Sequence, residues 1–266
     1  MSEKTGMYTE DGFLGGKIRI RQPVKGFRAG SDAVLLASSV ALAAKGSLLD
    51  VGCGVGTAAL CVRHRFPESV LCGIEFQQEL VSRAHENVAL NGFDQACFGH
   101  FDILKADITK KTDFSGLTGP TGRRFLEDGF DHVISNPPFY EEGRAQCSPN
   151  DVKTQAHIEG EASLDVWVRF CAARVKPKGM LTLIHRSDRL PEILSEMGRV
   201  CGSLTIIPLW PNASTPAKRV LVQGIKSGHG PSRLLPGVVL HKLDGKPTTH
   251  SEKILREGAG LFDDLN

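Results

Sequence analysis

The sequence has no CxxC pair. Its seven cysteines, at positions 53, 61, 72, 97, 147, 171 and 201, are odd in number and scattered singly. That argues against a disulfide framework and against a zinc site, and it suits a reducing, cytoplasmic setting. Long apolar runs are missing too. The longest, residues 33–44, is interrupted by Ser38 and Ser39, and it falls short of the roughly 20 residues that a membrane span needs. The N-terminal segment MSEKTGMYTEDGFLGG lacks the apolar centre of a signal peptide. Internal repeats and low-complexity tracts are absent. Charge of one sign is absent as well: 32 Lys and Arg against 30 Asp and Glu leave +2, so no global field selects a partner.

What is present is an ordinary globular composition, 41% hydrophobic and 23% charged over 266 residues. A chain of that length buries roughly 70–75% of its unfolded surface without staples. Its patterning alternates strand and helix. Residues 47–51 (SLLDV) form an apolar run that ends in a Gly-rich turn, and residues 57–66 follow as a helix stopped by Pro67. Residues 70–75 are the second strand. Residues 77–90 are a helix with Leu80, Val81, Ala84 and Val88 on one face, ended by Asn91-Gly92. A third strand falls within residues 98–108 and a fourth is residues 130–135. A helix over 165–175 closes at Lys176-Pro177-Lys178-Gly179 and leads into a fifth strand, 180–185. Residues 187–198 read as a helix with Ser187 as N-cap. Strands at 204–209 and 220–225 follow, joined by a turn-rich stretch that allows a hairpin.

This order implies an α/β fold: a mostly parallel seven-stranded sheet with one antiparallel strand and helices on both faces. Before it, residues 12–22 alternate as a strand would, and residues 30–32 open an apolar helix over 33–44. We expect one domain, made of an N-terminal hairpin and helix extension (1–45), a core (46–226) and a C-terminal extension (227–266). Residues 112–129 look like an insertion.

Three motifs carry chemistry. The first is Asp50-Val51-Gly52-Cys53-Gly54-Val55-Gly56, between a strand and a helix. Such a turn lets a ligand approach the backbone at the carboxyl end of the strand, where open α/β sheets bind ligands. A dinucleotide loop reads GxGxxG, and its third glycine would fall at Thr57. The pattern here is GxGxG instead. The second motif is Glu75, at the end of the second strand, 19 residues after Gly56. A carboxylate there accepts ribose hydroxyls, whether of a methyl donor or of NAD. The third is Asn136-Pro137-Pro138-Phe139, directly after the fourth strand. Two prolines after a strand end could merely be a rigid turn. With Asn before and an aromatic after, the stretch resembles the NPP(Y/F) motif of amino-methyltransferases, where an amide oxygen and a rigidly held proline carbonyl accept the two N–H groups of a planar amino group. They favour the charge that develops on its nitrogen in the transition state. Phe139 offers a stacking face for a flat base.

The GxGxG loop after an acid resembles that of class I methyltransferases, which use S-adenosylmethionine (SAM). NPPF resembles the motif of those that act on amide or exocyclic amino nitrogens. Taken with GFRAGSDAVLLAS and the late AKRVLV strand, the chain resembles the bacterial tRNA adenine-N6 methyltransferases. These modify valine tRNA beside the anticodon and belong to the "small" methyltransferase superfamily. The resemblance covers roughly residues 26–225. It implies a Rossmann-like fold and a cofactor pocket of Asp50, Gly52, Cys53, Gly54, Gly56, Glu75, Phe76, Asp107, Ile108 and Asn136. It gives Asp50 to the methionine end of the cofactor and Asp107 to its adenine, with Asp102 as competitor. It implies Asn136, Pro137, Pro138 and Phe139 as the catalytic set, and no metal. Glutamine-N5 and guanine-N2 methyltransferases share these motifs and remain alternatives. An NAD oxidoreductase and a silent SAM-binding module fit less well.

RNA, tRNA first, is the implied partner, with no membrane involved. Between residues 12 and 31 stand Lys17, Arg19, Arg21, Lys25 and Arg28 without an acid. Residues 171–233 hold ten Lys or Arg against three acids. Such clusters meet phosphate, or else are solvated faces. Tyr140, Arg144 and Lys153 lie in the loop after NPPF, where a substrate enters. His157 is there too, as a catalytic group or merely exposed. Asp32 reads as a helix N-cap, and Asn87 and Asn91 as solvated or capping residues.

Overall fold

The computed structural model describes residues 8–26, 28–95, 97, 99–138 and 162–263. Its centre is a sheet of β3 (Ser47–Val51), β4 (Val70–Glu75), β5 (Phe101–Lys105), β6 (Phe130–Ser135), β7 (Val175–Arg186), β8 (Gly202–Trp210) and β9 (Arg219–Ile225), in the spatial order β8-β9-β7-β6-β3-β4-β5. β9 runs antiparallel to both neighbours and the rest are parallel. Every residue of β3 is buried, which is why SLLDV reads as a continuous apolar run rather than an alternating one. The tail adds two short strands, β10 (Arg233–Leu234) and β11 (Val238–Val239), both parallel to β8. The expected seven strands are all present, one of them antiparallel, and among the described residues the tail adds two more.

Helices α1 (Ser31–Ser38), α2 (Thr57–Arg65) and α3 (Gln78–Leu90) belong to one apolar layer, with Leu36, Leu60 and Leu80 buried in it. Helices α4 (Leu164–Arg174) and α5 (Leu190–Val200) form the other, with Trp167, Val168, Ile193 and Met197. Helices therefore cover both faces. No helix among the described residues is long and apolar enough to cross a membrane.

Four local expectations are corrected. Residues 12–22 are not one strand. β1 (Tyr8–Phe13) and β2 (Ile18–Pro23) pair antiparallel around a turn at Leu14, Gly15 and Gly16, all with positive φ. Helix α1 stops at Ser38, because the hydroxyls of Ser38 and Ser39 bond back to the Leu35 and Leu36 carbonyls at 2.7 Å each. The Lys176–Gly179 stretch is a bulge inside β7, with Lys178 at φ 66°. Pairing with β6 passes from Val175 to Met180 across it. Ser187 caps no helix: its hydroxyl donates to the Ala217 carbonyl, and α5 begins three residues later with Pro191 in its first turn.

Two asparagines latch the hairpin to the core. On α3, Asn87 Oδ1 accepts the Arg21 N–H at 2.8 Å, and its Nδ2 donates to the Arg21 and Val55 carbonyls at 3.0 Å each. One turn on, Asn91 accepts from the Arg19 N–H at 2.9 Å and donates to its carbonyl at 2.8 Å. The pair serves β2 as a neighbouring strand would. Neither residue is merely solvated or capping, and Asn87 is fully buried.

The insertion folds as two 3-10 turns that bury Phe114 and Phe125, stacked at 5.4 Å, against the α4 layer. The tail closes over the hairpin turn. Lys17 Nζ donates to the Glu257 carbonyl at 2.8 Å, and the Leu261 N–H donates to the Ser38 carbonyl at 2.8 Å.

Candidate active site

The Gly-rich turn leaves β3 and immediately leans on β4: the Gly52 and Cys53 N–H groups both donate to the Ile74 carbonyl, at 2.9 and 3.0 Å. Gly52, Gly54 and Gly56 have φ of 72°, 56° and 85°, conformations that a side chain resists. A Cβ on Gly52 would also stand 2.7 Å from the Trp167 ring. The alternate spacing of the glycines thus follows from the path of the turn. Gly56 ends it and starts α2.

Glu75, at the end of β4, fastens this loop. Its Oε2 accepts the Gly54 N–H at 3.0 Å and its Oε1 the Gln77 N–H at 2.9 Å. Burial raises its pKa, against the pull of these backbone donors. The Phe76 N–H is a third backbone donor to this carboxylate, which leaves about one of its lone pairs for a hydroxyl.

A cleft of about 350 Å3 opens on one side of the loop, lined among others by Asp32, Asp50, Gly52, Thr57, Asn136 and Arg219. Asp50 is almost wholly buried. The Ala59 N–H serves its carboxylate, but Oδ2 has no partner among the described residues. Burial pushes its pKa up to about 7, and the nearby Glu75 charge adds to the rise. Thr57 Oγ1 and Asn136 Oδ1 are likewise buried and unpartnered. Three such oxygens on one cleft are costly unless something donates to them. The cleft is therefore suited to a ligand rich in N–H and O–H donors, and to a cationic one at Asp50. Asn136 is held at the level of the loop because Ser135 pairs with Val51 across the sheet and donates its hydroxyl to the Val51 carbonyl at 2.7 Å.

On the other side of Gly52 lies a smaller cleft of about 20 Å3, lined by Glu75, Phe76, Asp107, Ile108 and Trp167 among others. Asp107 Oδ1 accepts from the Thr109 N–H and hydroxyl at 2.9 and 2.7 Å, and its Oδ2 faces Lys110 at 3.1 Å. Its pKa is lowered: partial burial pushes it up, and the Thr109 and Lys110 contacts together outweigh that. Asp102 sits inside β5, paired with Cys72, and lines neither cleft. The Cys53 thiol turns toward Gly73 in β4, so only its backbone is offered to a ligand. Pro137 is buried and Pro138 half-buried. Phe139, Tyr140, Arg144, Lys153 and His157 lie outside the described residues.

The expected basic clusters are partly paired, the first with acids of β1 outside its own span and the second mostly with the three acids already counted within it. Arg19 and Arg21 pair with Glu10, and Arg28 with Asp11, all from β1. In the second cluster Lys176, Arg186, Arg189 and Arg199 are paired with Asp131, Asp188, Glu192 and Glu196. Asp32 is no N-cap, a position taken by Gly30. Its Oδ2 accepts from Arg219 Nε at 2.8 Å across the larger cleft.

Sequence reasoning missed Thr57, Trp167, Arg219 and the buried His185 at the end of β7. Thr57 had a local signal, its place right after the third glycine. The others reach the site only through tertiary packing.

A family model described as a methyltransferase domain matches residues 42–203. Over 171 residues the chain is 30% identical to the tRNA1(Val) (adenine(37)-N6)-methyltransferase of Porphyromonas gingivalis, covering 62% of this chain and 61% of that protein. Over 150 residues it is 30% identical to the enzyme so named in Escherichia coli O157:H7, covering 56% and 55%. The chain thus matches only about three fifths of the length of these curated relatives. Among solved structures, a predicted O-methyltransferase from Agrobacterium tumefaciens superposes with TM-score 0.65 at 25% identity, over 86% of this chain and 97% of that one. A 16S rRNA methyltransferase from T. thermophilus, solved with AdoMet and guanosine, does so at 0.53 and 16% identity, over 82% and 50%.

Proposed function

The chain belongs to the methyltransferase-domain family, and on that premise we propose that it transfers a methyl group from SAM to the exocyclic N6 amino group of an adenine in structured RNA, tRNA first. The observation that carries this reading is the unpartnered Asn136 Oδ1, buried on the same cleft as the unpartnered Asp50 Oδ2. A donor-rich cationic cofactor and a planar amino group are the two ligands that such oxygens suit together. Relatives whose names specify tRNA adenine N6 support the choice of acceptor.

The residues fit the cofactor. Asp50 would take its ammonium, Glu75 its ribose hydroxyls, and the Gly52–Gly56 backbone would pass beneath it. Phe76, Asp107 and Ile108 would border its adenine. When bound, SAM supplies an electrophilic methyl group on a sulfonium. Asn136 Oδ1 and the Pro137 carbonyl would each accept one N–H of the acceptor amine. That turns the nitrogen lone pair toward the methyl and stabilises the charge that grows there. Pro137 and Pro138 fix that carbonyl in advance, so little reorganisation is needed. No base has to act first, since the nitrogen becomes acidic only as it becomes cationic. Phe139 would stack the extruded base, with Tyr140, Arg144 and Lys153 beside the entrance.

Tritium transfer from labelled SAM to bulk tRNA, ribosomal RNA and cell protein in parallel tests the acceptor. Label in tRNA that digests to N6-methyladenosine is the expected result. Label confined to protein would replace this reading with glutamine methylation, and label in ribosomal guanine with guanine-N2 methylation.

A further inference from the structure

Pro137 and Pro138 have a structural consequence for β7. β6 and β7 run parallel, with Ser135 opposite Leu183. β6 ends at that pair, and a continued register would set Asn136, Pro137 and Pro138 alongside Ile184, His185 and Arg186. Proline has no N–H, so the ladder between the strands loses its donors there. A side chain can hold the end of this segment, at Pro138, in their place.

The His185 side chain does so. The Arg186 N–H donates to His185 Nδ1 at 2.9 Å, which leaves Nδ1 without a proton and puts the proton on Nε2. The imidazole also bonds to the main chain of Pro138, and since Pro138 offers only a carbonyl, His185 is the donor. The ring is buried, at 1% exposure, and its pKa is lowered to about 4, by burial first and by Arg189 next. The charged groups around it are themselves paired, Arg189 with Glu192 and Arg186 with Asp188. The ring thus stays neutral, and its tautomer is fixed by a backbone donor.

We propose that His185 is the positioning residue of the Asn136-Pro137-Pro138 segment. Its Nε2–H grips the Pro138 carbonyl, and so sets where the Pro137 carbonyl and the Asn136 side chain stand. His185 does not touch the reacting atoms. The role rests on the methyl-transfer reading above for its effect on rate, but not for its tautomer.

The test compares His185→Gln, whose amide N–H reaches where Nε2–H does, with His185→Asn, which keeps an acceptor for the Arg186 N–H but falls short of Pro138. The stoichiometry of S-adenosylhomocysteine binding by calorimetry counts competent molecules, and the same titration gives its affinity. Both variants are expected to bind it within about 2-fold of wild type. Per competent molecule, kcat is expected to fall about 5- to 100-fold in His185→Asn, the worth of one hydrogen bond, and to recover most of this in His185→Gln. KM for the acceptor should move much less than kcat. Equal rates for the two variants, or a loss in thermal stability alone, would overturn the proposal. Rates are taken on whichever pool the wild type labels, so a failure of the RNA reading shows in the wild type and not in the comparison. Independently of any acceptor, long-range proton–nitrogen NMR should report the neutral Nε2-protonated ring from about pH 6 to 8. A charged or Nδ1-protonated ring would exclude the grip on Pro138.

Discussion

Glu75 Oε2 accepts the N–H of Gly54 at 3.0 Å. The carboxylate at the end of β4 is therefore the fastener of the Gly-rich loop as well as a wall of the smaller cleft. Glu75→Gln keeps one acceptor oxygen and replaces the other with a donor, which leaves either Gly54 N–H or Gln77 N–H unserved. The expected outcome is a loss of about 1–3 kcal/mol in stability, together with a roughly 10-fold or larger loss of S-adenosylhomocysteine affinity. Urea unfolding and calorimetry on the same preparation check both. A loss of affinity with no loss of stability would separate the two roles.

Asp50 gives a prediction with a definite sign. Its ordinary pKa of 3.8 rises to about 7 in the folded chain, chiefly through burial. Between those values the folded state holds more protons than the unfolded one, so Asp50 makes stability fall as pH rises from about 4 to 7. Such a rise corresponds to roughly 4 kcal/mol, fully felt above pH 7. Asp50→Asn is expected to melt several degrees higher than wild type at pH 8 and at nearly the same temperature at about pH 4, while binding SAM more weakly at every pH. Thermal scans across this range check it, and an Asn variant destabilised at pH 8 would contradict the origin given for the shift.

Gly52 combines a φ of 72° with a Cβ direction that ends 2.7 Å from the Trp167 ring. Gly52→Ala is expected to cost about 1–3 kcal/mol and to abolish measurable cofactor binding. In a Trp167→Leu background, which itself costs several kcal/mol, the Gly52→Ala penalty should be smaller, since the collision is relieved but not the backbone strain. Differential scanning fluorimetry of the single and double variants is sufficient. An equal Gly52→Ala penalty in both backgrounds would place the whole cost in the backbone.

Asn87 makes three hydrogen bonds in a fully buried position, and Asn91 makes its contacts to Arg19 at an exposed edge. Asn87→Ala is expected to lose about 2–4 kcal/mol and Asn91→Ala about 1. Amide exchange of Arg19 and Arg21 should quicken in both. Unchanged protection of Arg21 in Asn87→Ala would mean that the hairpin is held by other contacts.

The strands that lie deepest were the most legible, and for a physical reason. β4 and β6 have the bounds that their runs mark, because strands buried on both faces are mostly apolar rather than alternating, with polar residues such as Asp131 at an exposed position and Glu75 and Ser135 at the strand ends. The Gly-rich turn was legible because its path requires left-handed residues at fixed positions. What sequence did not reveal depends on partners far along the chain. Residues 12–22 alternate as one strand would, and although a hairpin is expected in this extension, only the fold places its turn at Leu14, Gly15 and Gly16. The basic stretch before residue 31 looked uncompensated, yet its acids stand in β1 across the hairpin. Asn87 and Asn91 share one helix face, but nothing local says that a strand lies against it. His185 reads as the end of an apolar strand until Pro138 is placed beside it.

The central claim is that Asn136 aligns an acceptor amine for methyl transfer, and single-turnover transfer of labelled methyl to tRNA by wild type and Asn136→Ala tests it most directly. The expected result is equal S-adenosylhomocysteine affinity in both, with N6-methyladenosine formed about 5- to 150-fold more slowly by the variant. Equal rates of transfer in the two proteins would contradict the account.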